Sequence, residues 1–282
     1  MAVGADLRTR GMGMPVATVC PARSVKPAAG ASASDVSMGN HAAMRVLESR
    51  RGARFVFIHI PKTAGSTIHH RVLKRSPNFI DVGLGTPRPH FTYDELERQV
   101  PKAILDAYWK FCFIRHPVDR YLSRIRYLKS ELSAGVSRHS EEREFVLKFD
   151  CPKRLLQAAV RENPGFLEAR HGLSQERYIT DKHAAIAIDF IGTTETFRSD
   201  IRQVYRQLRL IERFLRPLRS VNVTGDKYSE LRADRELCGL VHEIYANDFA
   251  VYEAVRHNRS NRSLKGVVPA ELPRARRYFL PS

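Results

Sequence analysis

The sequence predicts an α/β fold, a three-layer domain with a central parallel sheet flanked by helices. Two nearly continuous apolar runs, Phe55–Ile60 and Trp109–Ile114, have the length and composition of strands buried on both faces. Each leads through a polar loop into apolar residues at helical spacing, and a third such unit is expected from Ala185 onward.

The first strand is stopped by Pro61, and Ser66 or Thr67 can cap the helix that follows, with Ile68, Val72 and Leu73 on its apolar face and Ser76-Pro77 at its end. A loop with Gly83, Gly85, Pro87 and Pro89 leads to His90, and Phe91–Leu96 begins a short helix. The second strand ends at Arg115, with Pro117 placed for the first turn of another helix. An exposed loop is expected over Ser133–Arg143 and a helix over Phe145–Val160. A third strand over Ala185–Gly192 precedes a helix from Phe197 to Leu210, and a last long helix runs from Tyr228 to Val255. Residues 1–50 are expected to be disordered, 51–258 to form the domain, and 259–282 to be a basic irregular tail.

The chain has 282 residues, with 47 Lys+Arg against 30 Asp+Glu, a formal +17 that draws anions to any cleft. Nucleic acid, acidic polysaccharide and phosphorylated cofactors all fit that charge. Cys20, Cys112, Cys151 and Cys238 form no CxxC pair, which argues against a zinc site and a dense disulfide framework and favours a reducing compartment. No apolar run reaches the roughly 18–20 residues that span a bilayer.

Two segments carry chemistry. Ile60-Pro61-Lys62-Thr63-Ala64-Gly65-Ser66-Thr67 sets a cation, a glycine and two hydroxyls where backbone N–H groups open a helix. It is not a Walker A loop, because Lys62 precedes Gly65 and no second glycine is present, so nucleoside triphosphate hydrolysis is disfavoured. Taken alone, it reads equally as an anion cradle and as an ordinary capped turn. In the second segment, Arg115 to Ser123, a cation again stands at a strand end with a hydroxyl about two turns on. Two such sites suit a doubly phosphorylated nucleotide, whereas an Arg115 or Arg120 pairing with Asp119 would merely stabilise a helix start.

Together these segments resemble the nucleotide signatures of the carbohydrate sulfotransferase family that includes heparan sulfate 2-O-sulfotransferase, whose fold is P-loop-like. The second segment, Arg115-x-Pro117-x-x-Arg120-x-x-Ser123, matches that family's spacing, and Gln175–Tyr178, Phe190–Glu195 and Tyr245-x-x-Asp248-Phe249-x-x-Tyr252 extend the likeness in order along the chain. The resemblance implies a sulfuryl transfer from 3′-phosphoadenosine-5′-phosphosulfate (PAPS). Lys62 with Thr63, Ala64, Gly65, Ser66 and Thr67 would hold the 5′-phosphosulfate, and Arg115 with Ser123 the 3′-phosphate. No metal is expected, since the transferred sulfuryl carries less charge than a phosphoryl and Lys62 can stabilise the bridging oxygen.

Among the eleven histidines, His90 is best placed for the base, in a loop facing the nucleotide site. The resemblance implies the same role for the histidine before Phe91-Thr92-Tyr93, although Arg88 stands where the family has another histidine. His59, inside an apolar run, reads as a core histidine, and Arg177 reads equally as an acceptor contact and as surface. The expected acceptor is a hydroxyl of a carbohydrate, with Arg88 and Arg177 as contacts to an anionic one. The alternatives are a nucleic-acid-binding basic protein, supported by charge alone, and a small-molecule kinase of related fold; nucleic acid and membrane partners are not expected. Location is expected to be cytoplasmic, or the Golgi lumen if an N-terminal anchor is missing from this sequence.

Overall fold

The computed structural model describes residues 47–48, 53–68, 90–130, 140–209, 230–258 and 262–273. Within them the sheet has the order β1 (Leu47–Glu48), β2 (Arg54–Ile58), β3 (Trp109–Ile114) and β4 (Phe190–Thr193). β2, β3 and β4 run parallel, with Ile58 opposite Cys112 and Ile114 opposite Thr193, while β1 pairs antiparallel with β2.

The two-residue period of a strand gives each face of the sheet its own chemistry. Val56, Ile58, Cys112, Ile114 and Ile191 point to an aliphatic layer. It is covered by α2 (Tyr93–Gln99), α3 (Lys102–Ala107), α8 (Glu176–Ile179) and α11 (Ala246–His257). Phe55, Phe111, Phe113 and Phe190 form an aromatic layer against Ile68, at the end of α1 (Gly65–Thr67), and against α9 (Phe197–Gln207). Gly192 lies on that face, and a Cβ there would come within 2.5 Å of the Phe113 ring, so the phenyl group needs the glycine. A third apolar cluster joins α4 (Pro117–Ser130), α5 (Ser140–Leu147), α6 (Pro152–Glu162), α7 (Pro164–Glu168) and α10 (Arg235–Ile244).

The loop expected over Ser133–Arg143 gives way to α5 at Ser140, and four further elements differ from their expected bounds, each for a local reason. β2 stops at Ile58, because the Ile60 carbonyl accepts from the Thr63 hydroxyl at 2.9 Å and not from a neighbouring strand. Ile186 pairs with the chain near Val267, exchanging backbone bonds of 2.8 and 2.7 Å with Val267 and Gly266, so only Phe190–Thr193 enters the sheet as β4. The helix expected over Phe145–Val160 is two, since Pro152 has no N–H to continue a helix and starts α6 instead. The last helix is likewise divided into α10 and α11 at Tyr245, whose φ of −116° and ψ of 38° leave the helical region. Its hydroxyl donates to the Gly172 carbonyl at 2.9 Å, so the break is anchored. The expected helix end at Ser76-Pro77 and the loop of Gly83 to Pro89 lie outside the described residues. Among the described residues no helix is long and apolar enough to cross a membrane.

Candidate active site

The loop after β2 has backbone angles that alternate in sign. Lys62 and Ala64 have φ of 69° and 65°, while Thr63 and Gly65 stay negative. Such alternation turns successive N–H groups to one side, an arrangement suited to a phosphate-like anion. Each non-glycine residue held there costs on the order of 1–3 kcal/mol, so the surroundings must enforce it. They do so through the Thr63 hydroxyl on Ile60 and through Arg120, whose Nε donates to the Pro61 carbonyl at 3.1 Å. Gly65 is required for a different reason: a Cβ would lie 1.9 Å from the His59 ring. A loop with this alternation, carrying a half-buried lysine, suits a phosphate-like anion.

Arg120, Ser123 and Tyr127 fall at i, i+3 and i+7 on α4 and therefore share one face. At one end of that face Arg120 touches the loop, and at the other the Tyr127 ring lies 3.8 Å from Lys62 Nζ. Half-buried Ser123 stands between two side chains that both reach the loop. α4 begins two residues after Arg115, which itself follows β3, the parallel neighbour of β2. Burial holds the Arg115 guanidinium below its ordinary pKa, with Asp119 and Glu195 opposing that shift. The two segments thus leave the same edge of the sheet and are joined through α4.

His90 is tied to the same loop. Its Nδ1 lies 2.9 Å from the His59 carbonyl oxygen, which can only accept, so Nδ1 carries the proton and Nε2 keeps its lone pair. Burial lowers the His90 pKa below 6.5, and the charges of Arg170, Lys62 and Arg120 lower it further against the opposing effect of the His59 carbonyl. Arg170 fixes the histidine's main chain, its Nη1 donating to the His90 carbonyl at 3.0 Å and to Glu95 Oε2 at 2.6 Å, with Nη2 on Glu95 Oε1 at 2.7 Å. Glu95 completes a capping box with Thr92 at the start of α2. Burial would raise its carboxyl, but the Arg170 and Thr92 hydrogen bonds outweigh that and hold it below the carboxylate range.

His59 is not a core residue. It is half-buried beyond the end of β2, its ring 4.4 Å from that of His90 and over Gly65. His171, which no motif marked, is buried with its ring 5.5 Å from His90 and 5.4 Å from Tyr127. Aromatic and cation contacts therefore run from Lys62 through Tyr127, His171 and His90 to His59. Arg177 is exposed on α8, and no contact among the described residues joins it to His90 or the loop. Arg88, His69 and His70 lie outside the described residues. Among those residues no group of three or more His, Cys, Asp or Glu is arranged to hold a metal.

The sequence profile of the sulfotransferase family matches residues 50–253, a span that includes the loop, His90, α4 and the start of α11. The chain belongs to the sulfotransferase family. No curated protein and no solved structure matches it. This sulfotransferase is accordingly an enzyme of sulfuryl transfer, and family membership implies PAPS as the donor. Tyr127, His171 and Arg170 are residues of the candidate site that sequence reasoning missed. They lie 65 to 109 positions from Lys62, and only the fold brings them beside the loop or His90.

Proposed function

We propose that the enzyme transfers the sulfuryl group of PAPS to a hydroxyl of a carbohydrate by in-line displacement, with His90 as base. The observation that carries the reading is the shared face of α4, on which Arg120 and Tyr127 touch the loop on either side of Ser123. That arrangement supports a single doubly phosphorylated nucleotide held at both ends.

In this reading Lys62 and the Thr63–Thr67 loop hold the 5′-phosphosulfate, and Arg115 with Ser123 the 3′-phosphate. When bound, PAPS supplies a sulfuryl group on a phosphate leaving group, so the acceptor oxygen gains the bond to sulfur that the bridging oxygen loses. His90 Nε2 takes the acceptor's proton, its availability supported by the Nδ1 bond to His59. The Lys62 ammonium places positive charge where the leaving oxygen becomes negative, and the Tyr127 ring beneath it limits its swing. A carbohydrate acceptor is supported by the family resemblance and by the +17 charge, which favours an acidic glycan, with Arg88 and Arg177 as its contacts.

The experiment is binding followed by transfer. The product 3′-phosphoadenosine-5′-phosphate (PAP) should raise the melting temperature of the parent protein and not that of Lys62→Ala or Arg115→Ala. His90→Ala should still be stabilised by PAP but lose transfer in a radiolabelled PAPS screen over glycans, lipids and small alcohols. An unchanged melting temperature in saturating PAP removes the donor assignment, and a fully active His90→Ala removes the base.

A further inference from the structure

Two stretches with no chemistry of their own, Gln175–Tyr178 and Tyr245–Tyr252, meet behind Arg115. The Arg115 N–H donates to Gln175 Oε1 at 2.8 Å, and Gln175 Nε2 donates back to the Arg115 carbonyl at 2.9 Å. A side-chain amide thus does for Arg115 what a neighbouring strand does within the sheet, satisfying both main-chain groups one residue past β3. Gln175 is itself fixed, because its N–H donates to Asp248 Oδ2 at 2.8 Å while the Glu176 N–H donates to Oδ1 at 2.9 Å. Gln175 and Asp248 are 1% and 2% exposed, so water cannot replace either partner. We infer that Asp248 and Gln175 form a buried relay that aims the Arg115 guanidinium at the 3′-phosphate of the donor.

The physical reason is leverage. A guanidinium reaches its ligand through a long flexible stem, so the direction of its Cα–Cβ bond decides where that stem begins, and that direction follows from the backbone angles the amide holds. Site geometry that drifts by more than about half an ångström loses much of its binding advantage. The relay would also transmit the placement of α11 to the nucleotide site, since Asp248 lies in the first turn of that helix. Gln175 and Asp248 are then positioning residues, touching Arg115 and each other and not the ligand.

The inference rests on the reading that Arg115 binds the 3′-phosphate, and the test separates the two. Calorimetric affinities for PAP and for adenosine 5′-phosphate, which lacks the 3′-phosphate, give a ratio that isolates that group's contribution. Arg115→Ala should abolish the advantage of PAP. Gln175→Leu should shrink the ratio about tenfold, with adenosine 5′-phosphate affinity within about twofold of the parent. Asp248→Asn, close in shape and still able to accept one N–H, should move the ratio in the same direction by less, and it decides the matter if Gln175→Leu does not fold. A role confined to stability would lower the melting temperature of both variants and leave the ratio alone. A parental ratio in the folded Gln175 or Asp248 variants, with the ratio lost in Arg115→Ala, overturns the relay and leaves the 3′-phosphate reading standing. A parental ratio in Arg115→Ala overturns that reading and the relay with it.

Discussion

Arg120 Nε donates to the Pro61 carbonyl oxygen across 3.1 Å, and the same guanidinium approaches the His171 carbonyl through Nη2 at 3.5 Å. Arg120 belongs to the motif that contains Arg115 and Ser123, yet it is 4% exposed and turned toward the loop. Within that motif it therefore acts as a tie between the two halves of the site, and in the proposed reading Arg115 is the cation that meets the ligand.

Replacing Arg120 by Met keeps the length and removes the donors. The buried Pro61 carbonyl then loses a charge-assisted partner, which costs about 1.5–3 kcal/mol. Urea denaturation of Arg120→Met should show that loss, and PAP affinity should fall with it because the loop and α4 are no longer held together. A parental PAP affinity in this variant would mean that the loop keeps its shape without the tie.

If His90 is the base, as proposed, its depressed pKa sets the pH dependence of transfer. A base must be neutral, so kcat/KM should rise with pH along a limb centred below 6.5 and be level at neutrality. Arg170→Gln removes the charge with the largest lowering effect on His90 and should move that limb upward. Stability changes in the same direction: below pH 6.5 the unfolded chain takes up a proton that folded His90 resists, so this group's contribution falls as pH drops toward its folded pKa. A limb above 6.5 in the parent enzyme would place the titrating base elsewhere.

Much of this site was legible in the sequence because its parts are local. A strand end, a turn and a helix start are contiguous, so the 60–67 loop and the Arg115–Ser123 segment announce themselves, and β3 ends where its apolar run ends. His90 was legible from its place before the capped helix. The partners that hold these parts were not, because they act through tertiary contact: Gln175 meets Arg115 over 60 positions and Asp248 meets Gln175 over 73. The division of the last helix at Tyr245 was hidden for the same reason, since its anchor is the carbonyl of Gly172 and not a proline or glycine in the helix itself.

Asp248 should give a pH dependence of the opposite sign. Burial pushes its carboxyl up to about 6, with Arg120 and the N–H groups of Gln175 and Glu176 pulling it down and Glu176 adding to the rise. Between the ordinary value of 3.8 and about 6 the folded protein binds the proton that the unfolded chain gives up, so this group's contribution falls as pH rises through that window. The stability advantage of the parent over Asp248→Asn should therefore shrink by on the order of 2–3 kcal/mol between pH 4 and pH 7. Denaturant titrations at a series of pH values measure it, and a constant difference would show that the carboxyl titrates normally.

Gly65 carries the sharpest steric claim. With a Cβ 1.9 Å from the His59 ring, Gly65→Ala must push the imidazole aside, a strain of about 1–3 kcal/mol. The displaced ring presses on His90, 4.4 Å away, so transfer should fall along with stability. Adding His59→Ala removes the obstructing ring but leaves the main-chain carbonyl that holds His90 Nδ1. The double variant should therefore recover transfer relative to Gly65→Ala alone, a coupling between adjacent sites that a double-mutant cycle of melting temperatures and rates resolves. If Gly65→Ala is equally damaging with and without the His59 ring, the glycine is needed for its backbone approach to the anion and not for the imidazole above it.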